Sequence, residues 1–141
     1  MYDFSVRPAS AGQPGTPVES QAPENGADLF EIAVPGHALF KVETDLGLAM
    51  NTSDSVDGLT LESAGPIDVG TRIYFSLTPG SPTLVANGWS AADVLTVVVG
   101  LPITLDRAIS ASSLGLLPTD NLDALILSDP TADAGALSLI H

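Results

Sequence analysis

Four aspartates stand in two matching stretches, Asp54-Ser55-Val56-Asp57-Gly58-Leu59-Thr60-Leu61 and Asp120-Asn121-Leu122-Asp123-Ala124-Leu125-Ile126-Leu127. Each stretch reads Asp, two residues, Asp, one residue, Leu, one residue, Leu. The chemistry open to such pairs is the binding of a hard cation, since Ca2+ takes roughly six to eight oxygens from carboxylates, carbonyls and water. Asp54 and Asp57, or Asp120 and Asp123, would supply carboxylates from a loop entering a strand, and Asp129 and Asp133 could add to the second site. The EF-hand pattern is not met, because Leu122 and Ala124 fall where it wants oxygen ligands. The competing reading is structural: each first Asp makes an Asx turn, its side chain accepting backbone N–H groups as the strand begins.

Other chemistries find few residues. Nucleophilic catalysis needs a base beside the nucleophile. The histidines are His37, which follows the turn dipeptide Pro35-Gly36, and His141. There is no Gly-x-Ser-x-Gly elbow, phosphate-binding Gly-Lys-Ser/Thr loop, Gly-x-Gly-x-x-Gly or His-Glu-x-x-His. Paired carboxylates could hydrolyse a glycosidic bond, but no motif marks a pair out, and a carboxylate hydrolase is the reading the residues support least. Trp89 is the single tryptophan. It is either a sugar-stacking platform or a side chain packed at the Asn87-Gly88 turn. Asn51-Thr52-Ser53 fits the short acceptor pattern for glycosylation.

The elements that must position these residues are short strands. Gly and Pro supply 13 and 11 of the 141 residues, spaced as turns between apolar runs, which is a β pattern rather than a disordered one. Strands are expected over Tyr2–Val6, Asp28–Val34, Ala38–Leu48, Gly58–Glu62, Thr71–Leu77, Val94–Val99 and Leu122–Leu127, with a last short one over Ala136–Ile140. Residues 9–27 read as an irregular loop. Val94 to Val99 is almost wholly apolar and β-branched, as in a strand covered on both faces. Ile103 to Ser113 permits helix by composition and strand by its place in the chain. Ser90 could cap one helical turn over Ala91, Ala92 and Asp93.

The Asp stretches belong to a longer repeat. Phe4-Ser5 matches Phe75-Ser76 at an offset of 71, Ala27-Asp28-Leu29 matches Ala92-Asp93-Val94 at 65, Leu46-Gly47-Leu48 matches Leu114-Gly115-Leu116 at 68, and Asp54 matches Asp120 at 66. The landmarks keep their order. They divide a single domain, residues 1–141, into repeats over about 2–62 and 73–128. A four-stranded unit of that size leaves an apolar face bare, so the two should share one core.

Composition narrows the partners. The net charge is −13, with four basic residues against seventeen acidic. That repels phosphate backbones and anionic headgroups, so nucleic acid is excluded as a partner, and cations, glycans or self-association remain. No apolar run reaches 18 residues, so no membrane insertion is expected. The absence of cysteine removes disulfides and thiolate metal sites.

The run Tyr74-Phe75-Ser76-Leu77-Thr78-Pro79-Gly80-Ser81-Pro82-Thr83-Leu84, then Ser90-Ala91-Ala92-Asp93, Leu114-Gly115-Leu116 and Asp120 to Leu127 resembles a repeat of uncharacterised exported bacterial proteins. The first half departs from it, with Pro8-Ala9-Ser10-Ala11 in place of Pro-Gly-Ser-Pro. The resemblance carries no activity and implies an extracellular or cell-surface β module. A basic region followed by an apolar stretch is not present at Met1, so an export signal is expected outside these residues.

The expected architecture is all-β: about eight strands in a barrel or sandwich, built from two tandem repeats with pseudo-twofold symmetry. The alternative is two propeller-like blades. The expected role is a non-catalytic structural or adhesive module, with calcium as the cofactor the Asp motifs allow. The alternative is a carbohydrate- or small-ligand-binding module.

Overall fold

A computed structural model describes residues 3–5, 29–32, 37–41, 43–48, 53–62 and 69–125. These are mostly strand with little helix, so the chain is all-β in character. Strands β1 (Asp3–Ser5), β2 (Leu29–Ile32) and β3 (His37–Lys41) form a three-stranded antiparallel sheet in that order. Strands β4 (Val56–Leu61), β5 (Arg72–Leu77), β6 (Val94–Val98) and β7 (Asp106–Ile109) form a four-stranded antiparallel sheet. No helix among the described residues is long and apolar enough to cross a membrane. The expected strand over Ala136–Ile140 and the loop over 9–27 lie outside the described residues.

The four-stranded sheet is covered on both faces by the alternation of its own side chains. On one face Ile73, Phe75 and Leu77 of β5 and Leu95 and Val97 of β6 pack with Val56, Leu29, Leu46, Leu48 and Leu84. On the other, Val94 packs with Leu122 and Leu125, flanked by Tyr74, Ile109, Leu114 and Leu116. Thr96, a buried polar residue of β6, is satisfied by donating to the Ile73 carbonyl at 3.0 Å.

The pairing in the two sheets corresponds. Phe4 pairs with Phe30 and Asp3 with Glu31. Phe75 pairs with Leu95 and Tyr74 with Thr96. These are the same pairs shifted by the offsets of 71 and 65 residues. The bulges coincide too. Between β2 and β3 the register shifts at Leu29/Phe30, leaving Phe40 as the extra residue. Between β6 and β7 it shifts at Val94/Leu95, leaving Ala108 as the extra residue, 68 positions on.

Several expectations are corrected. The strand over Ala38–Leu48 ends at Lys41, and Glu43–Leu46 is a 3-10 helix. Ambiguous Ile103–Ser113 divides in the same way, into β7 and a 3-10 helix over Ala111–Leu114. Both helices close on a left-handed glycine, Gly47 (φ 74°) and Gly115 (φ 73°). Leu48 N–H donates to the Glu43 carbonyl at 3.0 Å, and Leu116 N–H to the Ala111 carbonyl at 2.9 Å. The Leu-Gly-Leu step is thus a helix-ending signal, in which glycine takes a conformation that costs other residues strain. Residues 122–125 of the expected strand Leu122–Leu127 join no ladder, and the remainder lies outside the described residues. His37, which follows Pro35-Gly36, is the first residue of β3.

An α-helix over Pro82–Asn87, α1, stands where only turns were expected. Pro82 occupies its first position, where a missing N–H costs nothing and the fixed φ favours the helix. Asn87-Gly88 is its C-terminal cap, with Gly88 at φ 66°, rather than a hairpin turn.

Candidate functional site

The structure gives the four motif aspartates four different surroundings. Asp54 is completely buried just before β4. Its Oδ1 accepts the Thr83 N–H at 3.1 Å and its Oδ2 the Thr83 hydroxyl at 2.7 Å. Thr83 lies in the first turn of α1, whose N-cap residue Ser81 makes no side-chain capping bond. The cap is therefore supplied from 29 residues upstream, satisfying a donor that the helix itself leaves orphaned. Asp57 stands at the bulge between Val56 and Gly58, and its carboxylate accepts Asn121 Nδ2 at 2.7 Å on the surface. Asp120 accepts the Leu117 N–H at 2.8 Å. Asp123 is exposed.

Asp120 does accept a nearby backbone N–H, that of Leu117 three residues back, whereas Asp54 also takes a distant one, that of Thr83 29 residues on. A side-chain hydrogen bond between the two stretches joins Asn121 to Asp57. Among the described residues, no group of three or more His, Cys, Asp or Glu side chains comes together to hold a metal ion.

A further carboxylate, Asp93, does more than its sequence suggests. It is almost wholly buried. Its Oδ2 accepts the Ser90 N–H at 2.9 Å and its Oδ1 the Ala111 N–H at 2.7 Å, and Arg107 Nη1 lies 3.5 Å from Oδ2. Asp93 thus ties the start of β6 to the 3-10 helix after β7. The expected cap runs the other way round: Asp93 caps Ser90, and the Ser90 hydroxyl oxygen is buried without a hydrogen-bond partner. Its sequence signal was the repeated Ala-Asp step at 27–28 and 92–93, which marks position but not function.

Beside that hydroxyl lies a cleft of about 310 Å³, lined by Trp89, Ser90, Pro79, Leu84, Pro118 and Asp120 among others. Trp89 is half-buried, and its backbone N–H donates to the Leu84 carbonyl at 2.9 Å, fixing it against the end of α1. The cleft brings Trp89 and Asp120 to one lining. It sits near the lower end of the roughly 300–1,000 Å³ usual for small-molecule sites. Sequence reasoning found Trp89 but missed the cleft, because α1 forms one wall of it.

Comparison with known proteins finds no matching family model, no matching curated protein and no matching solved structure.

Proposed function

We propose that the chain is a non-catalytic structural module built from two copies of one β-β-β unit, and that it serves in an extracellular or cell-surface protein. The observation that supports this most is the coincidence of two ladders: Phe4 on Phe30 and Phe75 on Leu95, with a bulge at the same place in each. A bulge is an inserted residue retained for the bend it makes, so two at equivalent positions speak for common descent. The cores agree with that reading. Leu29, Leu46, Leu48 and Val56 of one cluster stand at the positions of Val94, Leu114, Leu116 and Leu122 in the other. Three of the four motif carboxylates, Asp54, Asp57 and Asp120, are engaged in hydrogen bonds within the fold, which suits a scaffold. The resemblance to exported repeats bears on location. An experimental structure tests the duplication: residues 2–62 should superpose on 73–128 with both bulges overlaid. A broad panel of glycosidase and esterase substrates tests the absence of catalysis, and turnover that a single carboxylate variant abolishes overturns it.

The cleft lined by Trp89 and Asp120 favours a second reading, a small polar ligand such as a sugar held against Trp89. Trp89 is the single tryptophan of the chain, so its fluorescence reports on that cleft alone. Titration with mono- and oligosaccharides should shift the emission saturably if the cleft binds them, and a flat response removes the reading.

A further inference from the structure

Among the described residues, β1 is laddered only to β2, whereas its counterpart β5 carries β6 on one edge and β4 on the other. The segment matching β4 begins at Leu122, and residues 122–125 belong to no ladder among the described residues. We infer that this segment completes the first sheet by pairing antiparallel with the edge of β1 that no described strand covers, in the same chain, Ala124 opposite Ser5 and Leu125 opposite Phe4. The inference rests on the duplication proposed above. The register follows from the observed pairs Gly58 with Ser76 and Leu59 with Phe75, shifted by 66 and 71 residues.

Three contacts place the segment where such a closure needs it. A Cβ on Gly58 would lie 3.4 Å from the Ala124 carbonyl carbon and 3.4 Å from the Leu125 Cβ. Gly58 and Ala124 are themselves equivalent positions, and a residue that meets its own equivalent lies beside a twofold axis. Second, the Ser76 hydroxyl donates to the Leu122 carbonyl, which binds the segment to β5. The symmetry mate of that contact would join β1 to β4, and the backbones of those two strands do come near each other. Third, Leu122 and Leu125 are both core residues although three apart. An unbroken strand would send them to opposite faces. Their counterparts Val56 and Leu59 share one face because the bulge at Asp57 resets the alternation, so the buried pair 122 and 125 carries the mark of the same bulged strand.

An open β1 edge presents unpaired backbone groups to any passing strand. Closure from within the chain removes that hazard and turns a three-stranded sheet into the twin of the four-stranded one.

The test uses the full chain, which has no cysteine of its own. Cross-strand backbone NOEs are recorded on the wild type, and the double variant Ser5→Cys/Ala124→Cys is oxidised. The expected result is NOEs between residues 5 and 124 and between 4 and 125, with a disulfide inside one chain. Pairs 60–74 and 4–30 serve as references. If both references are seen and the 5–124 and 4–125 NOEs are absent, the closure is wrong while the duplication stands. If the 4–30 contact is itself missing, the duplication fails first. A disulfide formed only between two chains assigns the edge to a second copy and overturns closure from within. Because the NOEs need no substitution, a double variant that does not fold leaves the decision to them.

Discussion

The carboxylate of Asp54 and the hydroxyl of Thr83 meet at 2.7 Å, joining the loop before β4 to the first turn of α1. The same carboxylate takes the Thr83 N–H, so one buried side chain both caps a six-residue helix and fixes its distance from the sheet. A helix this short has no stability of its own and depends on such tertiary ties. Asp54→Ala should therefore cost about 1–2 kcal/mol, the usual loss for a cap, with denaturant midpoint as the measure. Thr83→Val keeps the N–H and should cost about 1 kcal/mol. Both losses should be the same in calcium and in chelator. A calcium-dependent rise in wild-type melting temperature that disappears in Asp54→Ala would return the metal reading, since a ligand confined to the folded state stabilises it by mass action.

Gly58 supplies a second test. A Cβ there would lie 2.9 Å from the Ser76 hydroxyl oxygen, closer than real Cβ atoms come, and that oxygen is held by its bond to the Leu122 carbonyl. Gly58→Ala should destabilise by about 1–3 kcal/mol through overpacking. Ser76→Ala removes the obstructing oxygen along with its hydrogen bond. The double variant should then be more stable than the sum of the two losses, by about 0.5 kcal/mol or more. Additive losses would mean that the two positions do not press on each other.

How much of this was legible in advance depends on the length of each element. Arg72–Leu77 and Val94–Val98 are long enough, and rich enough in β-branched and aromatic residues, to declare themselves as strands. The helical pieces were missed because each is four to six residues long, too short to develop a helical period. Leu46-Gly47-Leu48 is legible as a landmark, but its apolar residues alone suit a strand. Its glycine ends a helix, and Gly88 of the Asn87-Gly88 turn does the same for α1. The Asp pattern is legible as a matched spacing and not as geometry. The bonds of Asp54 to Thr83 and of Asp57 to Asn121 cross 29 and 64 residues, and no local pattern encodes a partner so far away.

Tyr74 offers a pH test on the smaller apolar cluster, which it flanks. Burial pushes its hydroxyl above the ordinary tyrosine value of 10.0; Arg72 pulls it back in part, and Glu62 adds to the rise. The folded protein therefore holds the proton more tightly than the unfolded chain. The resulting stability is fully present below pH 10 and is lost as pH rises through the higher folded value. Unfolding monitored from pH 9 upward should show this decline in the wild type, and Tyr74→Phe should remove part of it. An ultraviolet difference titration of the two proteins should place the Tyr74 ionisation above 10; a value at or below 10 would contradict its burial.

Asp93 and Arg107 separate a backbone tie from an ion pair. Asp93 is 3% exposed and accepts two backbone N–H groups, while the Arg107 side chain is 42% exposed and stands 3.5 Å away. Solvent screens the guanidinium, and exposed or half-exposed pairs contribute roughly 0–1 kcal/mol. The N–H groups of Ser90 and Ala111 have no such relief, because removing their acceptor strands donors in a closed part of the fold. Asp93→Ala should cost about 3–6 kcal/mol, the sum of two charge-assisted bonds of about 1.5–3 kcal/mol each, and should loosen the 3-10 helix over Ala111–Leu114. Arg107→Ala should cost less than about 1 kcal/mol. Amide exchange separates the two effects. In Asp93→Ala the Ala111 and Leu116 amides should exchange faster than in the wild type by more than the global loss accounts for. In Arg107→Ala they should not. Equal losses from the two substitutions would mean that the ion pair, rather than the backbone cradle, is what holds β6 to the end of β7.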